Sequence, residues 1–290
     1  MCKDKTLSAC LKDYYELAGL TKIEQAATGN QNYSTTEYRY QGKEPNNYIT
    51  FNNETGVWRI IGTFEVQTLN GSGYTKEYKV KIARESIGAL QWNVAEKNNW
   101  PISTLMTLLN NGDYYNRTGE YESNGLNETA KSQIDNTKWY LGNITWNNGY
   151  GNTKELYTQE RSTNVHNGNS QTWDGKVALI YPSDYMYASS SCYNDDNKRG
   201  ADSNGALPYN TDYRNEICRS TDWLLDENWY WTITPTTYIT HSSIYVDGGG
   251  AIGHTIVTRS SDALHPTLYL SSNIKYLSGS GTLSDPFIIK

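Results

Sequence analysis

The sequence predicts an α+β fold, a single loop-rich domain built from short strands and a few helices. Three features predict it. Tyr78 to Ala83 alternates polar and apolar side chains with the two-residue period of a half-buried strand, and Lys176 to Tyr181 is a short apolar run suited to a sheet interior. Leu7, Leu11, Tyr14 and Ala18 recur at helical spacing. Long Asn-, Ser-, Thr- and Gly-rich tracts separate such segments, with no internal repeat and no linker-like stretch, so one domain is the simplest partition.

In chain order, Thr6 to Leu20 reads as a helix with Gly19 near its end, within an N-terminal helical segment over 1–23 that precedes the domain proper at 24–290. Thr28 to Glu37 reads as loop, Tyr38 to Tyr40 and Asn47 to Phe51 as strands. Asn52 to Gly56 is a turn leading to a strand over Val57 to Gly62. Ser103 is placed to cap a helix carrying Leu105, Met106, Leu108 and Leu109, which Asn111-Gly112 ends. Glu128 to Trp139 is expected to be another helix, presenting Ala130, Ile134 and Trp139. Beyond it, strands are expected at 176–181, 244–246, 267–270 and 287–289, joined by long polar loops.

The composition restricts function as well as fold. With 25 Tyr and 9 Trp against 3 Phe, the core is expected to use rings that combine large apolar area with a polar atom, beside Ile, Leu and Val. A net charge of -6 and the lack of any Lys/Arg run exclude a nucleic-acid footprint. No apolar run is long enough to span a membrane. Met1 to Lys5 does not open a signal peptide; the Lys-poor, Asn/Ser/Thr/Tyr/Gly-rich character instead suggests an extracellular or cell-surface protein whose leader was removed before Cys2. Four cysteines and four histidines offer no C-x-x-C pair, so no structural zinc site is expected. Cys192 and Cys218 flank a polar insertion, Tyr193 to Ile217, and are read as a disulfide clipping it, the alternative being two free thiols; Cys2 and Cys10 receive no role.

Catalytic chemistry finds little support. No Gly-x-Ser-x-Gly elbow is present, and Gly248-Gly249-Gly250 lacks the following Lys of a phosphate loop and reads as a turn between strands. The expectation is a protein that is not an enzyme and holds neither cofactor nor metal. Asp195, Asp196, Asn197 and Asp202 offer oxygen ligands for calcium in one loop, whereas the lectin-like tripeptide Glu44-Pro45-Asn46 precedes a strand near the N-terminus where no long ligand loop lies.

The C-terminal third is compositionally distinct. From Thr232 to Ile274, 43 residues contain no Lys, Glu, Gln, Met or Trp, although these types make up 52 of the 290 residues and an even spread would place about eight there. Strand preference accounts for part of this depletion. The remaining alphabet, rich in Tyr, Ser, Thr, Gly and Asp, is one that binding surfaces favour, since Tyr gives rigid contact area and Ser and Gly adaptability.

Short motifs spread over most of the chain now carry a resemblance: Asn46-Asn47-Tyr48, Trp58-Arg59-Ile60-Ile61-Gly62, Trp173-Asp174-Gly175-Lys176-Val177, Tyr181-Pro182-Ser183-Asp184-Tyr185, Trp231-Thr232-Ile233-Thr234-Pro235 and Ser278-Gly279-Ser280-Gly281. In these the chain resembles surface proteins of gut Firmicutes and related bacteria that act as variable proteins of diversity-generating retroelements. The resemblance implies a C-type-lectin-like fold with short twisted sheets, two or three helices and long loops. It also implies a diversified ligand-binding region, here about 236–262. In such systems adenines are replaced during reverse transcription; changing the first two bases of an AAC codon reaches most amino acids but not Lys, Glu, Gln, Met or Trp, the five missing types. One departure is that Leu264-His265-Pro266 stands where related proteins carry Val-Arg-Pro, so the resemblance leaves the end of the diversified stretch open.

The ligand-facing set expected on this basis is Tyr238, Ile239, Thr240, His241, Tyr245, Asp247, His254, Thr255, Ile256, Thr258, Arg259 and Ser260, with Tyr238, Tyr245 and Arg259 the foremost anchors by residue type. Trp231, Ile244, Val246, Leu268 and Leu270 are expected to be scaffold. The partner is expected to be a protein or glycan at a cell or phage surface. Two alternatives remain: a carbohydrate-binding adhesin of fixed specificity, and a structural surface-layer or pilus-tip component.

Overall fold

One long hairpin organises the molecule. A computed structural model describes residues 2, 4–145, 152–191, 219–237 and 239–290. The chain passes through α1 (Leu7–Asp13), β1 (Leu20–Gln25), β2 (Thr35–Tyr40), β3 (Tyr48–Phe51), β4 (Glu54–Asn70) and β5 (Gly73–Arg84). Next come α2 (Thr104–Asn110), α3 (Asp113–Asn116), α4 (Glu128–Ser132), β6 (Thr137–Tyr140) and α5 (Thr153–Glu160). They are followed by β7 (Thr172–Gly175), β8 (Val177–Ala178), α6 (Pro182–Ala188), β9 (Tyr230–Pro235), β10 (Ser242–Val246) and β11 (Ile252–Ile256). The last elements are β12 (Thr267–Tyr269), β13 (Tyr276–Ser278) and β14 (Ile288–Ile289).

β4 and β5 pair antiparallel from Trp58↔Arg84 to Asn70↔Gly73, interrupted by a bulge between Ile60 and Gly62. At Gly62 a Cβ would lie 2.3 Å from the Tyr38 carbonyl oxygen, so only glycine lets β2 approach there. β3, β2 and β6 line the other edge of β4 in succession, and β12 and β8 extend the sheet beyond β5. β3 turns into β4 through Asn52 and Asn53, both at positive φ (58° and 61°), the left-handed pair of a two-residue hairpin that Asn tolerates. A second sheet runs in the order β11-β10-β9, and β13 pairs with β14.

The fold is α+β, as the sequence predicts, and its sheets pair antiparallel. Ser103 caps α2 through a bond from the Met106 amide (3.0 Å), also as expected. Other expectations need correction. Six short α-helices occur among the described residues, not two or three, and β4 at 17 residues exceeds a short strand. The predicted helix over Glu128 to Trp139 stops at Ser132, because Ile134 and Trp139 are needed elsewhere: Trp139 enters β6 opposite Trp173 and is fully buried. Among the described residues of 1–23, helix is confined to α1. α1 ends at Asp13, Leu7 and Leu11 lie in the common core, and β1 starts at Leu20 as a strand of the main sheet.

The core is aromatic. Trp58, Trp92, Trp100, Trp139 and Trp231 are fully buried, and Trp92, Trp100 and Trp173 form successive edge-to-face contacts. Behind the sheet lies a buried charge network. Asp184 of α6 contacts Lys81 of β5 and accepts from Arg39 of β2 (3.0 Å), whose Nε reaches Glu37 (2.8 Å). Beside it, Glu160 accepts from the Ser183 amide (2.7 Å), the Ser183 hydroxyl (2.6 Å) and Arg161 (3.1 Å). Burial pushes the Glu160 carboxyl up to about 7, against the pull of Arg161 and Ser183.

Cys2 and Cys10 form a disulfide. The expected Cys192–Cys218 pair lies outside the described residues. Closing a loop of this size stabilises by roughly 2–3 kcal/mol on chain-entropy grounds. Cys2→Ser with Cys10→Ser is therefore expected to lower unfolding free energy by about 2 kcal/mol, read by urea denaturation, and a non-reducing digest of the parent is expected to yield the linked peptide.

Candidate ligand-binding face

Much of the compositionally distinct segment is interior. Of the 42 described residues in 232–274, 25 are buried, which by itself explains the lack of Lys, Glu and Gln at those positions. β9 and β10 are buried along their whole length, and Trp231, Ile244, Val246, Leu268 and Leu270 are scaffold, as expected. The outward positions are concentrated in the loop 239–241, the outer end of β11 at 254–256, and the turn 258–261.

The backbone beneath these positions is held from outside the segment. Asn98, 1% exposed, donates through its side-chain amide to the carbonyls of Thr236 (3.1 Å), Ile239 (3.1 Å) and Ser242 (2.9 Å), and its own N–H bonds to Thr240 O (2.9 Å). Asn143 Nδ2 (3.0 Å) and His166 Nε2 (2.9 Å) reach the same Thr236 oxygen. Gln91 Nε2 bonds to Thr258 O (2.7 Å), Trp92 Nε1 to Thr232 O (3.0 Å), and the Asn93 amide to Val257 O (3.0 Å). Each of these bonds ends on a main-chain oxygen. None depends on which side chain the residue carries.

The predicted residues divide by position. Tyr238 lies outside the described residues. Thr240, Ile256 and Ser260 are exposed; Ile239, His241, His254, Thr255, Thr258 and Arg259 are half-buried. β10 pairs with β11 so that Ile244 faces His254 and Tyr245 faces Gly253, which puts His254 and Ile256 on one face of the small sheet and Tyr245 and Thr255 on the other. Ser242 Oγ lies 3.0 Å from His254 Nδ1 on the first face, and burial lowers the pKa of that imidazole. On the second face Trp229 stacks on Tyr245 (4.9 Å, 11°), and the Arg259 guanidinium lies 4.1 Å from the Trp229 ring and 5.0 Å from the Tyr245 ring.

Two of the predicted residues do not face outward. Tyr245 is 3% exposed, its ring covering Gly253, where a Cβ would come within 2.6 Å of it. Asp247 is 4% exposed; its Oδ1 accepts from the amides of Gly249 (2.8 Å) and Ala251 (2.9 Å) and so closes the β10–β11 turn that the three glycines form. Sequence reasoning missed Trp229, which is 39% exposed and lies three residues before the depleted window. Its signal is the aromatic triplet Trp229-Tyr230-Trp231 directly after the polar run Asp226-Glu227-Asn228, where alternation puts Trp229 and Trp231 on one face and Tyr230 on the other.

A separate cleft of about 450 Å³ is lined by residues that include Arg59, Arg84, Trp223, Asp226 and His265. Arg59 lies against the Tyr48 ring (4.4 Å) and the Trp223 ring (4.7 Å). His265 sets Nδ1 3.1 Å from Arg84 O and Nε2 3.3 Å from Asp226 Oδ2. That contact holds the Asp226 carboxyl down to about 2 against its burial. Asp195, Asp196, Asn197 and Asp202 lie outside the described residues, among which no cluster of three metal-ligating side chains occurs. No helix among them is long and apolar enough to cross a membrane.

No family model, no curated protein and no solved structure matches this chain.

Two outcomes test the geometry. Asn98→Ala leaves buried carbonyls without donors and is expected to cost about 3 kcal/mol in chemical denaturation, whereas Thr240→Ala and Ser260→Ala stay within about 0.5 kcal/mol. Asp262 is fully buried, bonded to Arg259 (2.5 Å), and has one oxygen without a partner; burial pushes it up to about 6, against the pull of Arg259. Because its folded pKa exceeds the unfolded value, the folded state takes up the proton first, and stability falls as pH rises from about 4 to about 6. Asp262→Asn removes that term, so its stability relative to the parent is expected to improve by up to about 2 kcal/mol between pH 4 and pH 7.

Proposed function

We propose that this chain is a surface-displayed hypervariable ligand-binding protein of C-type-lectin-like fold, diversified by a retroelement at outward positions of 236–262. The observation that carries the reading is the set of bonds from Asn98, Asn143, His166, Gln91 and Trp92 to carbonyl oxygens of the C-terminal segment. A binding surface that must accept many side chains needs a backbone fixed by contacts that ignore them. The outward residues above that backbone come from the restricted alphabet described earlier, and Lys, Glu, Gln, Met and Trp are absent from it even at exposed sites where they fold without cost.

The binding surface in this reading comprises Ile239, Thr240, His241, His254, Thr255, Ile256, Thr258, Arg259 and Ser260, with Trp229 as a fixed aromatic partner to Arg259. Ile256, 49% exposed on the edge strand β11, offers apolar area to a partner. The ligand is a protein or glycan at a cell or phage surface. The Cys2–Cys10 disulfide supports an extracellular or cell-surface location, since such bonds persist in oxidising compartments. Trp223 and Arg59 in the cleft favour a second reading, a fixed-specificity carbohydrate-binding adhesin.

Sequencing the same locus in several isolates separates the readings. Substitutions are expected to cluster at 239–241, 254–256 and 258–260, to avoid Lys, Glu, Gln, Met and Trp, and to spare Gln91, Trp92, Asn98, Asn143 and His166. Uniform drift across the chain overturns diversification and leaves the fixed adhesin.

A further inference from the structure

We propose that Lys81 and Asp184 become joined by an intramolecular amide bond, a covalent cross-link between β5 and α6. The inference is independent of the ligand-binding reading. Both side chains are 1% exposed, and they are in direct contact although 103 residues apart in sequence. The amine lies among the rings of Tyr181 (4.5 Å), Trp139 (5.2 Å), Tyr269 (5.4 Å) and Phe64 (5.8 Å). These rings supply no hydration shell, so two full charges stay there at high desolvation cost. Condensation removes both.

The surroundings suit the reaction. Arg39 donates to Asp184 Oδ1 (3.0 Å) and the Tyr181 amide to Oδ2 (2.9 Å), so two fixed donors polarise the carboxyl and sit where oxyanion charge develops on attack. Burial lowers the pKa of Lys81, outweighing the pull of Asp184, and this favours the neutral, nucleophilic amine. Burial works to raise Asp184, but Lys81 and Arg39 outweigh it and hold it as a carboxylate. The proton that activates this carboxyl is therefore the one Lys81 gives up.

In the step itself, Lys81 Nζ transfers a proton to the carboxylate and attacks Cγ. A C–N bond forms, a C–O bond breaks, and a second amine proton leaves with that oxygen as water. No oxidant or co-reactant is needed. Charge balance is kept: the ion pair disappears as a pair, and Arg39 retains Glu37 at 2.8 Å. Lys79 and Asp135 form an internal control. Lys79 is fully buried and bonds to Asp135 (2.6 Å), but that carboxyl is 40% exposed, so solvent reaches the acid and the drive to lose its charge is absent.

Intact mass spectrometry of the reduced, denatured full chain tests this. The expected mass is lower than that of the unmodified chain by one water molecule. Trypsin is expected not to cut after Lys81 and to release a branched peptide joining the segments that carry Lys81 and Asp184. Lys81→Arg is expected to show the full mass calculated for its own sequence, with no water lost, and a peptide joining Lys79 to Asp135 is expected to be absent. An unmodified mass for the parent, with Lys81 and Asp184 on separate peptides, overturns the proposal; it needs no variant to fold.

Discussion

The outward face of this protein depends on carbonyl oxygens. Asn98 places one buried amide against three of them and its own N–H on a fourth, and Thr236 O collects donors from Asn98, Asn143 and His166 together. A carbonyl presents the same acceptor whatever residue bears it. Fixing a loop through its carbonyls separates the conformation of the loop from its side chains, and that separation is what a variable surface requires. The donors lie between Gln91 and His166, outside the segment they hold, so changes within the segment leave them in place.

The clamp has a rigid backing. Ile233 of β9 bonds through its amide to Ile180 O (3.0 Å), so the small sheet is fastened to the chain that enters α6. Tyr181 and Asp184 close a reciprocal cap at the start of that helix, and Asp184 is in turn held by Arg39 and Lys81 from two strands of the large sheet. A buried ionic group is weak evidence of net stability, but removing one partner leaves an uncompensated charge and is strongly destabilising. Geometry at 181–184 is therefore tightly specified, and β9 inherits it through a single main-chain bond.

The sequence made the element types legible where local chemistry decides them. Ser103 as a helix cap, Asn52-Asn53 as a turn and Tyr78 to Ala83 as a strand all follow from neighbours within a few residues. It failed where tertiary demand overrides local preference. Trp139 stands at a helical spacing from Ala130 and Ile134, yet it is drawn into β6 by cross-strand pairing with Trp173 and by contact with Tyr269. The site was half legible for the same reason. Composition pointed to the segment over 232–274, but which of its residues face outward is set by the register of β10 on β11, and Tyr245 looks like an anchor until Gly253 is seen to make room for its ring. Asn98, which fixes the loop, offers no signal at all in a chain so rich in asparagine.

That register bears on the proposed binding role. Thr255 and Ile256 are adjacent in sequence but project to opposite faces of the small sheet, one toward the side of Trp229, Tyr245 and Arg259, the other toward Ser242 and His254. β11 is the outermost strand of that sheet. A ligand touching the whole outward set must therefore straddle the edge of β11 instead of lying on a flat face, and it meets a cationic, aromatic side and a hydroxyl- and imidazole-bearing side at once. Substitution at a single position alters one side and leaves the other unchanged. In the proposed role, such an edge would divide recognition into two nearly independent halves, as a surface whose residues change without coordination requires.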